Sequence, residues 1–146
     1  MQNIEIVKIK MVKDRELRNE YDQKIGTPFS LYKILRTLLE EEDRENFLVI
    51  SLDTKNHING INVISTGTLN SSLVHPREVF KMAILNNSNS IIIAHNHPSG
   101  DTEPSNEDIK VTDRLVECGK ILGIEVLDHI IVGDGYYSFK ENRKIR

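Results

Sequence analysis

The sequence predicts an α/β protein in which a mixed β-sheet is sandwiched by helices. Three observations carry that expectation. Helical and strand-type hydrophobic periods alternate along the chain instead of falling into separate blocks. At two places a short turn joins strand-like runs into a hairpin. Residues 90–94 form an uninterrupted run, rich in β-branched side chains, of the kind found in a strand buried on both faces.

The elements follow in order. Ile4, Ile6, Ile9 and Met11 alternate imperfectly with charged residues, which reads as an edge-type strand or an extended arm over residues 1–30. Leu31, Ile34, Leu35, Leu38 and Leu39 then recur at helical spacing, with Thr27 and Pro28 ahead and the acidic run 40–43 behind. Residues 47–52 and 58–64 are short apolar runs joined by a turn over 53–57, and Gly67 ends the pair. Pro76 opens a second helix that buries Val79, Phe80, Ala83 and Ile84; proline in a first turn gives up no useful hydrogen bond. The strand 90–94 comes next, then a loop over 95–104. A third helix runs from Ser105 to about Leu122, with Val111, Leu115, Cys118 and Leu122 on one stripe and Gly123 past its end. Residues 126–132 and 136–139 flank Gly133, Asp134 and Gly135, the second hairpin signal. The expected division is an N-terminal strand or arm over 1–30 and a catalytic domain over 31–146.

Composition narrows the function classes. A chain of 146 residues is one domain's worth, and its single cysteine excludes an internal disulfide. No stretch approaches the roughly 18 apolar residues of a spanning helix, and the N-terminus lacks a signal peptide's apolar core. A cytoplasmic protein without membrane attachment is expected. Nineteen basic against 22 acidic residues, a net charge of −3, give no global field for a phosphate backbone. Basic residues gather at the ends, as Lys8, Lys10, Lys13, Arg15 and Arg18, then Lys140, Arg143, Lys144 and Arg146. Such clusters usually just face solvent, and no stretch interleaves aromatic with basic residues as single-strand binders do. Nucleic acid is therefore an alternative partner without support. The alternating arm suits pairing with a neighbour's edge strand, and so a homo-oligomer.

The chemistry concentrates between His95 and Asp108. His95 and His97 leave an apolar strand two residues apart, so their imidazoles point to one face. Pro98 stops the strand and Gly100 lets the loop turn back. Ser105 stands where a helix begins, and Asp108 lies in its first turn, where the loop can return a carboxylate to the two imidazoles. Two histidines and one carboxylate, with a fourth position for water, are a catalytic zinc arrangement. Such an ion lowers the pKa of its water to about 7 and polarises a carbonyl. With no second thiol, the site is built from His and Asp. Taken alone, Ser105 and Asp108 also fit a helix N-cap with an acidic first turn.

The spacing H-x-H-P, six residues, S, two residues, D resembles the JAMM (JAB/MPN) zinc metalloprotease family at His95, His97, Pro98, Ser105 and Asp108. Gly67-Thr68-Leu69-Asn70, Pro76-Arg77-Glu78-Val79-Phe80, the string from His95 to Asp101, and Asp128-His129 look like its RadC branch. The likeness covers roughly residues 31–139. It implies the JAMM/MPN fold, a cytidine-deaminase-like sheet between helices, and one zinc ion per chain on His95, His97 and Asp108. It also implies hydrolysis of amide or isopeptide bonds in a peptide or protein substrate. Ser105 matches the serine thought to stabilise the tetrahedral oxyanion. The general acid/base glutamate of the family is matched by Glu45, ahead of the 47–52 strand, with Glu42 as the next candidate. Asp128 is expected to hold a ligand imidazole by its free N–H, as carboxylates behind metal ligands do, or else to be a strand-end residue satisfied by backbone.

Longer RadC proteins carry a DNA-associated helix-hairpin-helix region. Only about thirty residues precede the first helix here, so the expectation is a stand-alone hydrolase. The rival readings are a metal-dependent hydrolase or repair-associated factor acting on nucleic acid, and a non-enzymatic MPN interaction module.

Overall fold

A computed structural model describes residues 1–67 and 74–145. Thr68, Leu69 and Asn70 of the quoted motif, and Arg146 of the basic C-terminus, lie outside the described residues. Among the described residues, eight elements follow in the order α1 (Pro28–Leu39), β1 (Asn46–Leu52), β2 (Ile58–Thr66), α2 (Pro76–Leu85), β3 (Ser90–Asn96), α3 (Asn106–Leu122), β4 (Glu125–Gly133) and β5 (Gly135–Ser138). The five strands form one mixed sheet in the order β2-β1-β3-β4-β5. Only β3 and β4 run parallel; β1 is antiparallel to both β2 and β3, and β5 is antiparallel to β4.

The period-two alternation of the strands sorts the core into two layers. Leu48, Ile50 and Leu52 of β1, with Ile92 and Ala94 of β3, pack on one face against Leu31, Ile34 and Leu35 of α1. Phe47 and Val49, with Ile91 and Ile93, pack on the other against Val79, Phe80 and Ala83 of α2 and Val111 and Leu115 of α3. The sheet is thus sandwiched by helices. Every residue of β1 and β3 is buried, which explains why neither strand shows an alternating sequence pattern.

Caps set the helix boundaries. Thr27 caps α1 in a reciprocal capping box with Ser30 of the first turn, four residues before Leu31, the first apolar position that marks the helix in sequence. His75 Nδ1 accepts the Arg77 N–H and caps α2. Of the two expectations for the N-terminal segment, an edge-type strand or an extended arm, the strand is not formed: residues 1–23 form no helix or strand, and Ile4, Ile6 and Ile9 are exposed. A single antiparallel bridge, Lys24 to His57, joins the end of this segment to the β1–β2 turn. Among the described residues, no helix is long and apolar enough to cross a membrane.

Candidate metal centre

The alternation that builds the core also places the site. His95 continues the parity of Ile91 and Ile93 and points to the α3 face, where His97 follows it. Helix α3 starts there too. Ser105 is its N-cap: Oγ accepts from Asp108 N at 3.1 Å, and Asp108 Oδ2 accepts from Ser105 N at 2.8 Å. This capping box turns the Asp108 carboxylate back toward the strand. His95 Nε2 lies 3.2 Å from Asp108 Oδ1, and His97 Nε2 lies 3.3 Å from Oδ2. The two Nε2 atoms are 3.0 Å apart. One ligand atom from each of the three residues falls within 4.8 Å of the others.

The donor chemistry of this trio fits a cation. His97 Nδ1 stands 2.7 Å from the Asp101 carbonyl oxygen. A carbonyl only accepts, so Nδ1 carries the proton and Nε2 of the neutral ring offers a lone pair to the centre. His95 Nδ1 likewise faces away, toward His129 Nε2 at 2.7 Å. Lone pairs of two imidazoles and a carboxylate, converging at hydrogen-bond distances, are a donor set that could hold a divalent ion.

Electrostatics agree with the geometry. With no ion between them, burial works against the ionised Asp108, but hydrogen bonds from His95 and His97, made when their Nε2 atoms carry the proton that a metal would replace, outweigh it and hold the carboxyl far below its usual range. The hydrogen bond to Asp108 raises the His97 pKa, with partial burial opposing and the Glu45 charge adding a smaller push. Burial keeps His129 well below the usual imidazole value.

The loop between the two ligand segments is held by backbone. His97 N donates to Val132 O at 2.8 Å, and Asp134 N donates to Gly100 O at 2.8 Å. Gly100 has φ +90, and a Cβ on Gly133 would sit 2.5 Å from Gly100 O, so the close approach requires glycine at both positions. A cavity of about 450 Å³ opens beside this loop. Its walls include Tyr32 and Arg36 of α1, Glu42, His97, Gly100 and Asp134.

Glu45 is half-buried, one residue ahead of β1, and close enough for its charge to act on His97. The β1–β3 register pairs Phe47 with His95, so its continuation sets Glu45 opposite His97. Glu42 is exposed and lines the cavity. Ser105 is exposed at the helix start, its oxygen occupied by the cap and its hydroxyl proton still available to an acceptor.

Asp128 requires a correction: it does not hold a ligand imidazole. Its carboxylate accepts from His129 N at 2.7 Å, Lys140 N at 3.0 Å and Ser138 Oγ at 2.6 Å, pinning the C-terminal turn to β4. The imidazole partner of His95 is the next residue, His129. Sequence reasoning missed this because a shift in the β3–β4 register at Ile91 and Ile92 decides which of the two faces α3. It also missed Asn96, which lies between the two histidines. Asn96 Oδ1 accepts from Asn46 N at 2.7 Å and Nδ2 donates to Arg44 O at 2.9 Å, clamping the backbone on both sides of Glu45.

The family model described as RadC-like JAB domain matches residues 25–144. The chain belongs to the RadC-like JAB domain family. Curated relatives of the same family are called UPF0758 protein. The one from Methanosarcina acetivorans is 52% identical over 87% of this chain and 56% of its own length. That from Desulfitobacterium hafniense is 59% identical over 80% of this chain and 52% of its own. A third, from Moorella thermoacetica, is 61% identical over 83% of this chain and 53% of its own. The chain spans about half the length of the curated relatives it matches. Membership in the RadC-like JAB family supports a metal-dependent hydrolase type for the site.

Proposed function

We propose that the chain is a zinc metallopeptidase, a hydrolase of peptide or isopeptide bonds. The observation that carries this reading is the convergence of His95 Nε2, His97 Nε2 and the Asp108 carboxylate beside an open cavity. His95, His97 and Asp108 hold one zinc ion per chain. A zinc bound there supplies Lewis acidity, polarising a carbonyl and lowering the pKa of water to about 7.

The chain's own groups do the rest. The Glu45 carboxylate takes the proton of the attacking water and returns it to the leaving amine. The Ser105 hydroxyl donates to the oxyanion as negative charge develops on the former carbonyl oxygen. Asn96 keeps the Glu45 segment against the histidines, and the cavity walls receive the substrate chain.

Two measurements test the proposal. Metal analysis of the purified chain should give close to one zinc, lost in His97→Ala; no zinc in either protein overturns the metal reading. Glu45→Gln, loaded with zinc, should trap protein substrates whose new termini are found by mass spectrometry with the native chain. Enrichment identical to that of a zinc-free control overturns the peptidase reading, as does zinc-dependent cleavage of oligonucleotides alone. Glu42→Gln run beside it separates the two glutamates, since only the acid/base residue traps.

A further inference from the structure

Behind the ligand trio lies a polar chain that the proposed chemistry does not use. From His95 Nδ1 it passes to His129 Nε2 at 2.7 Å, then from His129 Nδ1 to Thr112 Oγ1 at 2.5 Å. The Thr112 hydroxyl in turn donates to the Asp108 backbone carbonyl at 2.7 Å. The chain therefore starts on one metal-binding residue and ends on another. His95, His129 and Thr112 are all fully buried. Phe139 stacks on the His129 ring with centroids 4.6 Å apart, and Phe47 lies at its edge and against His95. These atoms lie out of reach of bulk solvent, and along the chain each meets the next as its hydrogen-bond partner.

Proton counting fixes the direction. Thr112 has one hydroxyl proton, and the Asp108 carbonyl takes it. Toward His129, Thr112 then offers only lone pairs, so His129 Nδ1 carries a proton and donates. His129 Nε2 is left bare and accepts from His95 Nδ1–H. His95 Nε2 is then free of its proton and faces the metal centre, the form in which imidazole ligates.

We propose that Thr112, acting through His129, is the positioning element that fixes the His95 tautomer and ties β3 to the first turn of α3 around the metal. The proposal rests on the zinc reading above. It adds two residues that touch neither metal nor substrate. Partners of this kind typically change metal affinity by roughly 10–100-fold when removed.

The test compares Thr112→Val, which keeps the shape and deletes the hydroxyl, with Thr112→Ser, which restores it. Zinc affinity is measured by competition with a chromogenic chelator. Nitrogen-15 NMR reads the imidazole tautomers in metal-free and zinc-loaded protein. The expected result is a roughly 10–100-fold weaker zinc complex for Thr112→Val, with Thr112→Ser near wild type. In wild type, His129 should be the Nδ1–H tautomer with and without zinc. Full zinc affinity in a folded Thr112→Val, or no rescue by serine, overturns the proposal. So does a wild-type His129 protonated on Nε2, whether or not the valine variant folds. Loss of zinc from the wild type itself strikes the metal reading, and the tautomer spectrum then judges the relay separately.

Discussion

Ser105 and Asp108 hold each other's backbone N–H groups at the start of α3, and the oxygen of Asp108 that accepts from Ser105 also faces His97. The helix cap and the carboxylate of the candidate metal site are one device. Ser105→Ala should cost about 0.5–2 kcal/mol in urea unfolding, the range for a lost N-cap. Asparagine caps about as well as serine but has no hydroxyl. Ser105→Asn should keep the stability and lose most of the hydrolysis. Full activity in that variant would leave Ser105 as a cap alone.

The opposite shifts of Asp108 and His97 give a signed pH dependence. The lowered Asp108 value means its contribution to stability is present above the unfolded carboxylate pKa, about 4, and lost as pH falls through the folded value. The raised His97 value means its contribution is complete below about 6.5 and lost as pH rises through the folded value. In metal-free protein the stability difference between wild type and His97→Gln should therefore peak between those limits. A difference that is flat with pH would remove the ion pair as its source. Zinc binding should strengthen as pH rises through the His97 value, because the proton and the ion compete for one lone pair.

A methyl group on Gly133 has no room. Gly133→Ala should destabilise by about 1–3 kcal/mol through overpacking against Gly100 O. The displaced loop carries His97, so zinc affinity should fall with it. Gly26→Ala meets nothing within 4 Å and serves as the control. Equal melting temperatures for the two variants would refute the close approach.

Asp128 satisfies three donors with one buried carboxylate. Asp128→Ala should cost about 1–3 kcal/mol, since it leaves buried donors without partners. Isothermal calorimetry should show zinc affinity little changed, in contrast to variants of Thr112. A drop in affinity as large as theirs would return Asp128 to the metal centre.

Most of the architecture is legible in local pattern. The leucine spacing of α1, the β-branched run of β3 and the Gly133-Gly135 turn each specify their element without outside help. The N-terminal segment misleads because strand periodicity is necessary but not sufficient: a strand also needs a run of partner backbone, and the segment meets the sheet at its very end, where the Gln23 carbonyl accepts from Ile58 N. The same contrast holds within the site. His95, His97, Ser105 and Asp108 are close in sequence and follow from strand and helix periods. Asn96, Thr112 and His129 owe their roles to inter-strand register and to α3–β4 packing, which no local period encodes.

Strand β3 is hydrogen-bonded along both edges, to β1 and to β4, and every one of its residues is buried. Amides in such a strand exchange with solvent only when the whole domain opens. A site mounted at its end is assembled by folding itself. On the zinc reading proposed above, metal capture is then a late event on a finished scaffold, and the empty site should keep its shape.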